Sequence, residues 1–286
     1  MRDLVRLARP HFLVAGVFLY AFGAALARRD GFALPLVPYL LGQGVVTLAQ
    51  LGVHFGNEAH DLEADRHNAR RTWLSGGSGV LVEGGASRHL ALRLSGLCFG
   101  GALLAGAAAS WQASASAGAI AAAMVLLGWA YSAPPLRLCA RGWGELAAGL
   151  VVAGLVPALA LALAGAGFGP WRLLALAPGV VEVAVAVAVL SLPDAPSDAA
   201  AGKRTLVVRL GARASRRVIA AAWLLAAGLG LALLAHRGAP ILALPAGMAV
   251  ALAVGLPVAV ARQAWSPLAL AAALLVGLQV VAVALA

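Results

Sequence analysis

Residues 33–65 read ALPLVPYLLGQGVVTLAQLGVHFGNEAHDLEAD. The portion up to Gly56 is apolar and long enough to cross a bilayer as a helix, which takes roughly 20 residues. Set into it are Gln43, Thr47, Gln50, His54, Asn57 and Asp61, separated by 4, 3, 4, 3 and 4 residues. That spacing is one face of a helix. Polar groups in lipid turn toward the bundle interior or a cavity, so the stretch predicts a membrane helix packed among others. Its polar stripe either binds neighbouring helices by hydrogen bonds or lines a site, with Gln50 and His54 as candidate substrate contacts. His54 has no second histidine at ligand spacing, which argues against a metal ligand.

The rest of the chain has the same character. Of 286 residues, 62% are hydrophobic and 11% charged, with mean hydropathy +0.92. A soluble domain carries about 25% charge. The apolar stretches are helix-length and lack the roughly 10-residue alternation of a membrane barrel. The expected fold class is therefore all-α: a polytopic bundle of nine spans near 11–27, 33–56, 89–109, 116–131, 143–165, 172–192, 216–235, 239–261 and 264–286. The chain reads as a single membrane domain over 1–286, with polar loops at about 57–88 and 191–215. Abundant Gly and Ala suit close helix packing in lipid. Residues 1–27 show no cleavage site of the secretory kind. Cys98 and Cys139 have no metal or disulfide spacing and read as small packing residues.

The net charge of +10 is distributed by side. Counting loops alternately from the N-terminus, one side holds 17 of the 21 basic residues and the other holds Arg28, Arg29, Arg172 and Arg237. The positive-inside rule places the N-terminus and the large loops in the cytoplasm, in a cell membrane. It also accounts for the charge without nucleic acid, which is excluded as a partner.

Two acidic motifs carry the chemistry. Asn57, Asp61 and Asp65 recur every four residues, and Asp194 and Asp198 repeat that spacing at the end of the sixth span. On a helix such groups stack about 6 Å apart along one face. Carboxylates so placed repel unless a cation intervenes. Magnesium takes one or two protein carboxylates together with substrate phosphates. The alternative for either motif alone is a solvated acidic helix end; two motifs on one side favour Mg2+ and a diphosphate, with Asn57, Asp61, Asp65, Asp194 and Asp198 as ligands and the four aspartates catalytic. Basic groups follow each motif: Arg70 and Arg71 the first, Lys203 and Arg204 the second, with Arg137 between. Such donors stabilise the charge of a departing pyrophosphate. Glu182, mid-span in an apolar helix, is a functional candidate because intramembrane carboxylates usually are.

These residues resemble the UbiA-type membrane prenyltransferases, in which N-x-x-x-D-x-x-x-D follows the second helix and D-x-x-x-D the sixth of a nine-helix bundle. Arg71-Thr72, Ser75-Gly76-Gly77-Ser78-Gly79-Val80-Leu81, Tyr131-Ser132-Ala133-Pro134-Pro135-Leu136-Arg137-Leu138 and the stretch from Gly202 to Gly211 are close to the family's wording. The resemblance covers residues 9 to about 217 and is nearest the menaquinone branch. It implies transfer of a polyprenyl chain from its diphosphate to an aromatic acceptor, 1,4-dihydroxy-2-naphthoate, within membrane lipid. It implies that Mg2+ is the cofactor and that Asn57, Arg71, Tyr131, Arg137, Lys203 and Arg204 help hold substrate. The chain departs from that branch at Ala59 and His60, where aromatics are usual, at Leu190 and Ser191, where an amide or acid is frequent, and at Pro196, which is expected to bend or end its helix.

Rival readings keep the chemistry and change the acceptor to 4-hydroxybenzoate, homogentisate, a chlorophyll precursor, haem or a glycerol ether lipid. A phosphatidyl-type alcohol transferase would want D-G-x-x-A-R, which the sequence lacks. An ion- or proton-coupled transporter would want acidic residues near the bilayer midplane, where only Glu182 is expected.

Overall fold

A computed structural model describes residues 1–68, 71–72 and 75–285. Arg70 lies outside the described residues. Among the described residues there are helices and turns and no strand. Nine helices among the described residues are long and apolar enough to span a membrane, in agreement with the expected fold class.

A short α1 (Arg2–Ala8) turns at Arg9, in the left-handed region, into α2 (Pro10–Arg29). Pro10 opens α2, where a missing N–H is no loss. The second span, α3 (Leu36–Arg66), has 31 residues, so it measures roughly 46 Å against a hydrocarbon core of about 30 Å. It therefore carries its acidic end well out of the apolar layer. The loop expected from residue 57 begins only at His67: residues 57–66 are polar yet rich in helix formers, and nothing in them breaks the helix.

Next come α4 (Arg88–Gln112) and α5 (Ala115–Ser132). Their first turns are capped by Ser87 and Ser114, whose hydroxyls accept the Leu90 and Ala117 N–H groups at 3.1 and 3.4 Å, a standard use of serine. The fifth span joins α6 (Gly144–Gly149) to α7 (Val156–Leu163) through a π-helical turn at Leu150–Leu155. Pro157 offers no N–H to the preceding turn, and the wider turn absorbs that defect.

The second half holds α8 (Pro170–Ser191), α9 (Ala195–Ala200), α10 (Leu206–Arg237), α11 (Ala243–Ala261) and α12 (Trp265–Leu285). The seventh span, expected from 216, begins at Leu206 and kinks at Gly211, where φ is 73°. Pro196 does not end a helix. It lies in the first turn of α9, and the break precedes it, at Leu192–Asp194. Ring and missing donor are harmless there.

Helix α3 packs on α4 and α5, α8 packs on α10 and α12, and α12 returns to α2 to close the bundle. The main apolar core joins both halves, with Tyr20, Leu26, Val45, Met124, Leu159, Leu161 and Leu176 buried together. Close approach depends on missing side chains. A Cβ at Gly23 would collide with the Pro157 backbone of α7, whereas Gly44 in α3 has open space. Gly23→Ala is therefore expected to destabilise by about 1–3 kcal/mol. Gly44→Ala should be neutral or stabilise by up to about 1 kcal/mol. Unfolding of both variants in detergent, followed by helical circular dichroism, checks the contrast.

Candidate functional site

The acidic end of α3 and the α8–α9 junction meet at one end of the bundle, and a single side chain joins them. Lys203 Nζ lies 3.0 Å from Asp61 Oδ2 and 2.9 Å from Asp198 Oδ1. All three side chains are about 10% exposed or less. Lys203 is the only lysine in the chain. It is delivered by the Gly202–Thr205 turn, in which its own N–H donates to the Asp198 carbonyl at 2.8 Å. The two motifs thus face one space.

The other motif residues border it. Asp194 Oδ1 accepts from Asn68 Nδ2 at 2.9 Å, and the Gly76 N–H also faces this carboxylate. Asp65 sits under the glycine turn at Gly76–Gly77, where both residues have positive φ. A Cβ on Gly77 would overlap the Asp65 carboxylate, so only glycine lets the backbone approach this closely. Asn57 Oδ1 accepts from Ser132 Oγ at 2.9 Å. Tyr131, half-buried at the end of α5, is close enough to feel the charges of Cys139, Glu145, Lys203 and Asp61.

Burial raises the carboxyls of Asp194 and Asp198 above the usual aspartate range, against the pull of Lys203. Burial alone would lower the Lys203 ammonium, but Asp61 and Asp198 outweigh it and hold the group above its ordinary value. Burial and the attraction between opposite charges thus act against each other at this poorly hydrated site.

The basic residues divide. Arg71 donates through Nε to the Gly76 carbonyl at 2.9 Å and through Nη2 to the Asp65 carbonyl at 3.4 Å, and it pairs with Glu83 at 3.7 Å. It braces the turn beside Asp65. Arg137 and Arg204, expected next to the diphosphate, line an adjacent cleft with Arg141 and Arg209. The α3 stripe is engaged in structure: His54 Nδ1 is 2.8 Å from the Ala8 carbonyl, Gln50 Nε2 donates to the Phe12 carbonyl at 3.3 Å, and Gln43 Nε2 donates to Thr47 Oγ1 at 3.1 Å. Gln50 Oε1 stays buried with no partner. Glu182 is fully buried, nine residues or about 14 Å along α8 from Ser191. Among the departures, Ala59 packs with Leu7, Phe55 and Val80, and His60 borders a small crevice with Gly56, Phe99 and Ser132.

Several supporting residues were missed in the sequence. Glu58 accepts both the N–H and the hydroxyl of Ser78 at 2.6 Å, clamping the 75–83 turn onto α3. Glu145 is buried at the start of the fifth span, faces the Leu206 amide, and feels the charges of Asp198 and Lys203. It was legible by the reasoning applied to Glu182, a carboxylate inside an apolar span. The Asn68–Asp194 contact joins residues 126 apart, and nothing local announces it.

The donor set is of hard oxygens, and Asp61 Oδ1 is buried with no hydrogen-bond partner, which fits a hard divalent cation. Among the described residues no three carboxylate, imidazole or thiolate groups are placed to hold an ion by themselves. An ion at this site needs further oxygens from a ligand, the pattern of magnesium on a phosphorylated substrate.

Solved structures share this fold. A UbiA homologue from Archaeoglobus fulgidus, described as bound to DMAPP and Mg2+, superimposes with a TM-score of 0.72 at 16% identity, covering 99% of this chain and 100% of that one. An apo UbiA homologue from Aeropyrum pernix K1 gives 0.69 at 21% identity, covering 95% and 97%. A structure described as digeranylgeranylglyceryl phosphate synthase gives 0.68 at 14% identity, covering 99% and 97%. No curated protein is a significant match to the sequence. The profile of the UbiA prenyltransferase family matches residues 16–266. The match spans both aspartate motifs and the lysine that joins them, and the chain belongs to the UbiA prenyltransferase family.

Proposed function

We propose that this prenyltransferase moves a polyprenyl chain from its diphosphate to an aromatic acceptor, with 1,4-dihydroxy-2-naphthoate as that acceptor. The observation that carries the reading is the Lys203 ammonium held between Asp61 and Asp198, because it joins two distant motifs in one site. The DMAPP and Mg2+ described in the Archaeoglobus homologue support the donor class and the ion. The acceptor rests on the wording at 75–81, 131–138 and 202–211.

Asp61, Asp65, Asp194 and Asp198, with Asn57, would hold magnesium. When bound, the ion would neutralise the diphosphate and act as a Lewis acid on its oxygens. Lys203 donates to the diphosphate as charge grows on the leaving group, and Arg71 keeps the Gly76–Gly77 turn and Asp65 in place. Tyr131, Gln50 and His54 are the proposed further substrate contacts. The allylic C–O bond breaks with its electron pair leaving on the diphosphate. The apolar bundle excludes water from the allylic centre. An electron-rich aromatic carbon forms the new C–C bond, and the ring regains aromaticity by losing a proton or carbon dioxide from that carbon. The excess of arginine on the aspartate side supports a cytoplasmic position for this site and for the N-terminus. Donor and product are both lipids, which gives the enzyme its place in a membrane.

Asp61→Ala and Asp198→Ala are each expected to cut product formation by about a hundredfold or more, and EDTA should abolish it until magnesium is restored. Purified protein with a labelled prenyl diphosphate and a panel of aromatic acceptors provides the assay. Undiminished product from either variant would overturn the assignment. Product with 4-hydroxybenzoate or homogentisate but none with the naphthoate would overturn the acceptor alone.

Lys203→Met leaves two buried carboxylates without their counter-charge. It should destabilise the fold by about 3–5 kcal/mol at neutral pH. Added magnesium should recover more of the melting temperature in this variant than in the wild type, since the cation takes over the ammonium's electrostatic role.

A further inference from the structure

The turn at Leu138–Arg141 has two faces. Cys139 is close enough to feel the charges of Asp61 and Lys203. The other face opens into a cleft of about 480 Å³ lined by Arg137, Ala140, Arg141, Gly202, Arg204 and Arg209, within the size range of small-ligand sites. The cleft is tied together by backbone. The Arg204 N–H donates to the Ala140 carbonyl at 2.8 Å, and Arg209 Nη1 donates to the Arg141 carbonyl at 3.0 Å. Arg137 is held at φ 44°, a conformation that disfavours ordinary side chains.

Four arginines, from the 137–141 segment, the 202–205 turn and the first turn of α10, therefore line one cleft. None of the four forms an ion pair with a carboxylate of the described residues. The positive-inside rule explains why arginines lie on this side of the membrane, but it does not require them to gather. Like charges brought together repel, and an anion relieves that repulsion. Guanidinium forks match phosphate oxygens in geometry. Leu136, Trp143 and Leu210, each within two residues of a cleft arginine, are exposed and apolar. Tryptophan is characteristic of the membrane–water boundary, so the cleft has basic walls and a greasy rim.

We infer that this cleft is a second anion site, separate from the aspartate centre, and that it takes a phosphate group, with the headgroup of an anionic phospholipid as the source the apolar rim favours. The inference does not depend on the identity of the acceptor. A soluble phosphate or pyrophosphate offers the same oxygens, and the test separates the two.

The full chain, purified in mild detergent without magnesium, would be titrated with phosphatidylglycerol and with phosphatidylcholine by native mass spectrometry, and with inorganic phosphate and pyrophosphate by calorimetry. Phosphatidylglycerol is expected to bind well above phosphatidylcholine. The double variant Arg141→Gln/Arg209→Gln should weaken it by about tenfold or more. Because Arg209 also supports the turn, Arg141→Gln alone serves as the gentler variant and should weaken binding severalfold. Retention by soluble phosphate or pyrophosphate and loss of lipid selectivity would assign the site to a soluble anion, still through the same arginines. Binding no tighter than phosphatidylcholine for every anion, or unchanged binding in both variants, would overturn the proposal. Asp61→Ala should abolish magnesium-dependent donor binding and leave the cleft loaded. Loss of donor binding in Arg141→Gln would overturn the separation of the two sites.

Discussion

One ammonium between two buried carboxylates organises this protein. Asp61 lies in the last turns of the second span and Asp198 follows the sixth, and Lys203 touches both at about 3 Å. Removing three charges from water is costly, and only their mutual attraction in good geometry offsets the cost. The contact therefore demands that α3, the α8–α9 junction and the 202–205 turn hold a fixed register. The remaining aspartates add further carboxyl oxygens, the donor type a divalent cation takes together with phosphate.

The surrounding contacts serve that register. Glu58 clamps the 75–83 turn through Ser78, and Arg6 and Arg71 bind the same turn through Glu83. Asn68 crosses to Asp194. His54 and Gln50 bind the backbone where α1 passes into α2. The polar stripe of α3 is thus a joint between helices, and Gln50, bonded through its nitrogen, keeps a buried oxygen without a partner.

The basic residues illustrate how charge of one sign serves several ends. Lys203 compensates the aspartates, Arg71 braces a turn, and Arg137, Arg141, Arg204 and Arg209 gather in their own cleft. Lys203 and Arg204 are adjacent in the chain, and only Lys203 contacts the aspartates.

The sequence by itself determined the class of fold and the chemistry of the site. Hydropathy is summed over a whole span, so nine membrane helices stand out from local information alone, and the spacing of Asn57, Asp61 and Asp65 already implies one helix face. Helix ends were less legible, as at Arg66 and Leu206, because the polar layer at a membrane surface tolerates helix and loop alike. What only the tertiary structure decided is which groups meet. Lys203 with Asp61, Asn68 with Asp194, Glu145 with the start of α10 and the four arginines of the cleft are all pairings between segments far apart in the chain. Such contacts depend on the angles at which helices cross and on the turns that join them, and no periodicity in the sequence encodes those.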